Sequence, residues 1–189
     1  WNAWEGALYR EAAVTAQPLE VVVAGLIWRG VRLTVQPAQE KLKGLGIEID
    51  YATLGGSNVL RQVTRLYNLR GCEQVARAGS RVTAALGADP TALTILGEGV
   101  CRRPTNASTW TGKHRWAALR NDATGRTLLM ASRSNDLLLW DAGQHGRALD
   151  GTHTMRLAAN ETQEIAHYLV LAESWEGAQG YRALCDLEE

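Results

Sequence analysis

The sequence predicts a mixed α+β domain in which helices somewhat outnumber short antiparallel strands, and three observations point there. Trp4, Leu8, Ala12 and Ala16 recur at four-residue spacing ahead of Pro18, the stripe of an amphipathic helix. Val31, Leu33 and Val35, and later Ile47, Ile49 and Tyr51, alternate with Arg32, Thr34, Glu48 and Asp50, which is the period-two pattern of half-buried strands. Asn160 with Gln163 reads as a capping box in front of an apolar run ending at Ala172.

Taken in order, residues 1–16 read as a helix and 19–35 as a β-rich stretch. Residues 37–43 read as a short helix closed by Gly44, and 47–51 as a strand. Gly55-Gly56-Ser57-Asn58 is a turn in which Ser57 suits the N-cap of a following helix that buries Val59, Val63, Leu66 and Tyr67 and stops at Gly71. A second helix is expected over 72–86 with Gly87 at its C-cap, followed by a loop-rich stretch over 88–110 that contains Pro90 and Pro104. Residues 127–132 and 137–140 read as the two arms of a hairpin about Arg133-Ser134-Asn135-Asp136. The run Ile165, Ala166, Tyr168, Leu169, Val170, Leu171 and Ala172 is apolar nearly all round, as expected of a buried helix.

At 189 residues the chain suits one domain with a real core, and its first residue, Trp1, suggests an excerpt or a processed part of a longer polypeptide. Its 20 basic and 20 acidic side chains balance, which argues against a dedicated nucleic-acid binder, and 46% hydrophobic content excludes a disordered or collagen-like chain. The basic residues are 17 Arg and 3 Lys, with 7 Trp and no Phe, a bias that GC-rich coding produces. Cys72, Cys101 and Cys185 include no CxxC pair, so a zinc ribbon or thioredoxin-like site is excluded and a reducing compartment is expected. The apolar run from Val21 to Trp28 is too short for a membrane helix, and no leader is evident, so a virion or cytoplasmic location is expected.

Chemistry is weakly marked. Gly55, Gly56, Ser57 and Asn58, between a strand and a helix N-terminus, resemble a phosphate cradle, with Arg61 and Arg65 beside it. The P-loop lysine and the GxGxxG spacing are both absent. Glu164-x-x-His167 and Asp150-x-x-His153 could ligate a metal only with further carboxylates, so no metal and no cofactor are expected. No GxSxG elbow is present, and no catalytic residue is assigned. Trp140-Asp141 after a hairpin resembles one propeller blade, but nothing repeats it. Asn106-Ala107-Ser108 and Asn160-Glu161-Thr162 match glycosylation sequons.

Charge is distributed unevenly. Between Ser57 and Gly87 there are Arg61, Arg65, Arg70, Arg77 and Arg81 against Glu73; from Asn160 onward there are seven acids against Arg182. On helices, Arg61/Arg65 and Arg77/Arg81 would each share a face. The two patches either meet within the monomer or meet between copies, and the Arg face could also turn to RNA.

Stretches such as Leu86-Gly87-Ala88-Asp89-Pro90-Thr91-Ala92-Leu93 and Arg156-Leu157-Ala158-Ala159-Asn160-Glu161-Thr162-Gln163-Glu164 resemble the coat proteins of double-stranded RNA fungal viruses of the totivirus and victorivirus kind. The resemblance implies a fragment of an icosahedral shell subunit whose partners are copies of itself and RNA, with Arg77 and Arg81 facing assembly contacts or RNA. A structural self-assembly role is therefore expected, and no membrane partner. The alternative is a small intracellular enzyme or binding domain for an anionic or phosphorylated ligand at the strand–GGSN–helix turn, with His153 or His167 as acid or base.

Overall fold

The computed structural model describes residues 13–37, 42–83, 86, 93–102, 114–132, 138–142 and 146–183. The described chain is almost entirely antiparallel strand: β1 (Ala13–Val23), β2 (Leu26–Gln36), β3 (Leu45–Leu54), β4 (Val59–Asn68), β5 (Gln74–Thr83), β6 (Leu93–Gly97), β7 (Val100–Arg102), β8 (Trp116–Asn121), β9 (Thr127–Ser132), β10 (Leu138–Ala142), β11 (Gly146–Leu157) and β12 (Thr162–Ala172), then the short helix α1 (Trp175–Gln179). Nine strands form one sheet in the order β1-β2-β3-β4-β12-β9-β8-β6-β7, and β10-β11-β5 form a second. The fold is a β-sandwich, not the helix-led α+β domain that the sequence predicts.

The correction has a physical reason. Spacing of four residues is shared by the helical and the strand period, so Val59, Val63 and Tyr67 lie on one face of β4 as readily as on one face of a helix. The expected helix over 72–86 is mostly β5, whose Ala76, Ala78, Ser80 and Val82 alternate with Val75, Arg77, Gly79 and Arg81. The expected last helix is β12, and its apolar surround is that of a central strand covered on both faces. Asn160 is no helix cap: it takes φ 60° in the turn from β11 to β12, where Glu161 N–H donates to the Ala158 carbonyl at 3.1 Å. The first expected helix lies at 1–12 outside the described residues, and its remainder belongs to β1; most of 37–43 also lies outside them. The loop-rich stretch contains the β6–β7 hairpin, while β9 and β10 do not pair with one another: β9 pairs with β8 and β12, and β10 with β11.

Local chemistry sets the turns. Ala24 and Gly25 both take positive φ (51° and 76°), the two-residue connection whose twist matches a hairpin, and they join β1 to β2 in register from Ala13↔Gln36 to Val23↔Leu26. Asn68 stitches the two sheets together: buried at the end of β4, its Nδ2 donates to the carbonyls of Leu157 and Ala158 at 3.1 and 2.8 Å.

Two apolar clusters hold the small sheet on the large one. In one, Leu149 and Val82 meet Ile95, Leu119, Leu128 and Met130; in the other, Ala78, Met155 and Leu157 meet Val35, Ile47, Leu66 and Ile165. A third cluster lies on the opposite face of the large sheet, where Trp28, Ala118, Leu129, Tyr168 and Val170 pack with Ala178 of α1. Each fully buried side chain of this size contributes about 1.5–3 kcal/mol.

Two substitutions test this packing. Leu157→Ala, at a fully buried inter-sheet position, is expected to lower unfolding free energy by about 2–5 kcal/mol in urea titration. Gly79→Ala would drive a Cβ into the Gly151 carbonyl on the neighbouring strand and is expected to cost about 1–3 kcal/mol by the same measurement.

Candidate functional site

At Gly55–Asn58 the structure places a hairpin turn between β3 and β4 and no helix. Ser57 Oγ donates to the Leu54 carbonyl at 2.8 Å, and Ser57 N–H donates to the same carbonyl at 3.1 Å. Val59 N–H in turn donates to Ser57 Oγ at 3.4 Å. With β4 in place of a helix, the row of free N-terminal amides that an anion cradle needs is not built. Arg61 and Arg65 do share a face, as period two also requires, but both are engaged elsewhere: Arg61 is buried and its Nε donates to the Tyr168 hydroxyl at 3.3 Å. Arg77 and Arg81 lie on the outward face of β5, opposite Thr154 and Asp150 of β11.

The strongest polar arrangement crosses the outer face of the large sheet. Register sets Glu48, Arg65 and Glu164 side by side on β3, β4 and β12, and Arg32 beside Asp50 on β2 and β3. Arg32 clamps Asp50 with two hydrogen bonds of 2.7 and 2.9 Å, and Arg65 Nη1 reaches the same carboxylate at 2.6 Å. The Nε of Arg65 donates to Glu164 at 3.0 Å, and the Tyr67 hydroxyl donates to Glu48 at 2.6 Å. Burial alone would raise the Asp50 carboxyl, but the hydrogen bonds from Arg32 and Arg65 outweigh it and hold the group below the usual 3.8. The Tyr67 phenol is pushed up, by burial first and then by its bond to Glu48. The basic and acidic stretches of the sequence thus meet within one chain at Arg65–Glu164 (3.0 Å), and Arg126, outside the basic stretch, pairs with Glu173 at the same distance.

Farther along the same face the lining becomes aromatic. Trp28 meets Tyr168 edge-on at 5.7 Å, and Trp116 lies against Trp175 at 5.3 Å. The Arg182 guanidinium sits 4.5 Å over the Trp116 ring, within cation–π range. Glu98, Arg115, Trp116, Gln179 and Arg182 line a cleft of about 290 Å³ here. The buried indole N–H groups of Trp28 and Trp116 have no hydrogen-bond acceptor among the described residues, a condition that costs about 1–3 kcal/mol each.

The two histidine motifs separate in a way their spacing does not show. On a strand, Glu164 and His167 point to opposite faces, so Glu164 joins the outer ladder while His167 enters the inter-sheet core. There its Nε2 lies 3.2 Å from that of His153, and its Nδ1 is 2.7 Å from Ser80 Oγ. Buried Gln62, Thr64 and Ser132 stand on the same inner face, so a polar band divides the two inter-sheet apolar clusters. Burial, and then the neighbouring His153, push His167 down to about 3. Asp150, expected in a loop, is a buried residue of β11; burial raises its carboxyl, against the hydrogen bond from Thr152 and the charges of Arg81 and Arg77. No group of three metal-ligating side chains is assembled among the described residues.

No protein-family profile matches the chain, and no curated protein sequence is similar to it. Solved structures do resemble it. An aldose 1-epimerase assignment from Klebsiella pneumoniae superposes with a TM-score of 0.56 at 9% identity over 94% of this chain and 67% of that one. The α-galactosidase of Lactobacillus brevis gives 0.61 at 10% identity over 87% and 27% of the two chains. A galactose mutarotase-like protein from Clostridium acetobutylicum gives 0.56 at 13% identity over 85% and 66%. The chain therefore spans about two thirds of the epimerase-like proteins and about a quarter of the α-galactosidase, and it shares their fold. These neighbours overturn the resemblance to viral coat proteins and the capsid role it implied. Of the two stretches behind that resemblance, 156–164 is an ordinary β-hairpin connection, and most of 86–93 lies outside the described residues.

Two titrations follow. His167 lies below its ordinary 6.5, so the unfolded chain takes up the proton first; its contribution to stability is full above pH 6.5 and declines as pH falls towards 3. Asp50 adds a second loss only below 3.8, whereas Asp150, raised above 3.8, acts in the opposite sense and above that value, adding stability as pH falls towards 3.8. Between pH 6.5 and 4 the urea midpoint of the native chain is expected to fall more steeply than that of His167→Gln, by the equivalent of at least about 1.4 kcal/mol, one pH unit of linkage. Asp50→Asn at pH 7 leaves two guanidiniums facing an uncharged amide. Its cost is expected near the lower end of about 3–5 kcal/mol, since Arg32 and Arg65 retain 28% and 20% exposure.

Proposed function

We propose that this chain is a carbohydrate-recognising β-sandwich domain that binds a hexose unit on the outer face of its large sheet. The observation that carries the reading is the coincidence of two features. The fold is that of proteins assigned to aldose epimerisation, galactose mutarotation and α-galactoside cleavage. The same sheet presents a fixed array of carboxylates, guanidiniums and a phenol beside aromatic rings. Sugar hydroxyls both donate and accept, so they are best met by groups already locked in place, where little side-chain entropy remains to be lost.

Binding suits these groups better than proton transfer does. Acid–base turnover at an anomeric carbon needs a reachable group that titrates near the working pH. Asp50 is held ionised, the Tyr67 phenol is raised, and His167 is neutral and shut inside the core. What survives of the alternative is its broader part, a binding or enzymatic domain for a small ligand.

Galactose, glucose and a short galactoside, titrated into the chain by calorimetry or ligand-observed NMR, test this directly. Binding in the micromolar to millimolar range is expected, weakened at least fivefold by Glu164→Gln. That carboxylate is 57% exposed, so the substitution should leave the urea midpoint within about 0.5 kcal/mol of native. Silence for all three sugars would defeat the proposal. Acceleration of galactose mutarotation in a polarimeter would show catalysis in place of simple binding.

A further inference from the structure

We propose that the hollow where the β8–β9 turn meets the start of α1 is a second saccharide subsite, for a neutral hexose unit with two adjacent hydroxyls. The inference rests on the carbohydrate reading for the class of ligand and on the hollow's own geometry for the place.

Trp175 lines the hollow and is half-buried there; Arg120, Asp122 and Glu176 line it too. Arg120 is fixed in place: its Nε and Nη2 lie 3.0 and 2.9 Å from Asp122 Oδ1, and the Thr94 hydroxyl donates to Asp122 Oδ2 at 2.6 Å. The guanidinium nevertheless stays within a ligand's reach, at 33% exposure. Its third nitrogen, Nη1, carries two further N–H donors that no described residue takes. Glu176, exposed in the first turn of α1, supplies the acceptor; among the described residues it joins no ion pair and accepts no hydrogen bond. A locked donor and a free acceptor thus stand beside an aromatic ring, all three accessible from one hollow.

Charge and size choose the ligand. Arg120 is already neutralised by Asp122, and Glu176 adds a negative charge, so the hollow lacks the positive field that a phosphate or carboxylate needs. A polyhydroxyl meets what remains: one hydroxyl accepts from Arg120 and its neighbour donates to Glu176, while the C–H face of the ring lies on Trp175. The volume, about 430 Å³, is ample for one hexose. Register separates this place from the charged ladder. Arg120 stands opposite Thr127 and Thr127 opposite Ala172, roughly 26 Å along β12 from Glu164 at the usual strand rise. One monosaccharide cannot touch both, so the two places bind independently.

The test follows the indole N–H signals of the seven tryptophans in proton–nitrogen correlation spectra of the full chain, titrated with galactose and with glucose. The Trp175 signal is identified by its loss in Trp175→Leu. It is expected to shift with added sugar, with a dissociation constant that Glu164→Gln leaves within about twofold. Glu176→Gln should raise that constant by about fivefold or more, the loss of one good hydrogen bond. Arg120→Lys, which keeps a cation beside Asp122 and deletes Nη1, should do the same, and urea unfolding curves establish that both variants are folded. A Trp175 signal that moves for neither sugar would overturn the subsite. So would a shift that vanishes in Glu164→Gln, or one that both Glu176→Gln and Arg120→Lys leave unchanged. In each case sugar binding sensitive to Glu164→Gln would leave the broader carbohydrate reading standing, whereas no binding of any sugar would overturn both.

Discussion

The structure depends on β12 being paired on both edges and covered on both faces. On one edge it meets β4, with Ala166 opposite Val63, and on the other it meets β9, with Val170 opposite Leu129. Without it the large sheet would fall into two halves, β1–β4 and β6–β9, each with an open edge. The contacts that close the sheet join residues about a hundred positions apart, so the entropy of a long loop is lost before any of the pairing is gained. Such a strand must be apolar on both sides, which is why Ile165, Leu169, Tyr168 and Val170 occur within six residues.

That same demand misleads a reading of the sequence. An all-round apolar run of this length reads equally as a buried helix or a central strand, and the four-residue spacings in β4 fit either period. What periodicity could separate, it did: Val31–Val35 and Ile47–Tyr51 alternate cleanly because one side of those strands is apolar and the other carries charge, and both are strands. β5 escaped because its inward residues are small: Ala76, Ala78 and Ser80 give almost no hydrophobic contrast with Gly79. The turn signal at Gly55–Asn58 was sound as a turn, whereas Asn160, read as a helix cap, stands in a turn between two strands. Their polarity, strand to strand in place of strand to helix, depends on the partner that the next segment finds.

The outer-face ladder was half legible. Arg32, Glu48 and Asp50 stand in the sequence as the polar positions of alternating strands, and opposite charges on successive strands are a pairing signal of their own. Arg61 and Arg65 could be placed on one face without knowing whether it belonged to a helix or a strand, since both geometries bring i and i+4 together. The aromatic cleft was not legible at all. Trp116 lies some sixty residues from Gln179 and Arg182 along the chain, and only the return of the chain after β12 lays α1 and Arg182 against the end of β8.

Alternation along β12 also separates the work done by neighbouring residues. Ile165, His167 and Leu169 point to the small sheet and govern how firmly the two layers hold together, including their response to acid. Glu164, Tyr168 and Val170 point the other way, into the ladder and the aromatic floor. A change at one parity leaves the other face in register, because each side chain is fixed by its own cross-strand neighbours. A strand of this kind lets the outer face diverge while the inter-sheet core is retained. That is a physical route by which chains with as little as 9% identity can keep a common fold.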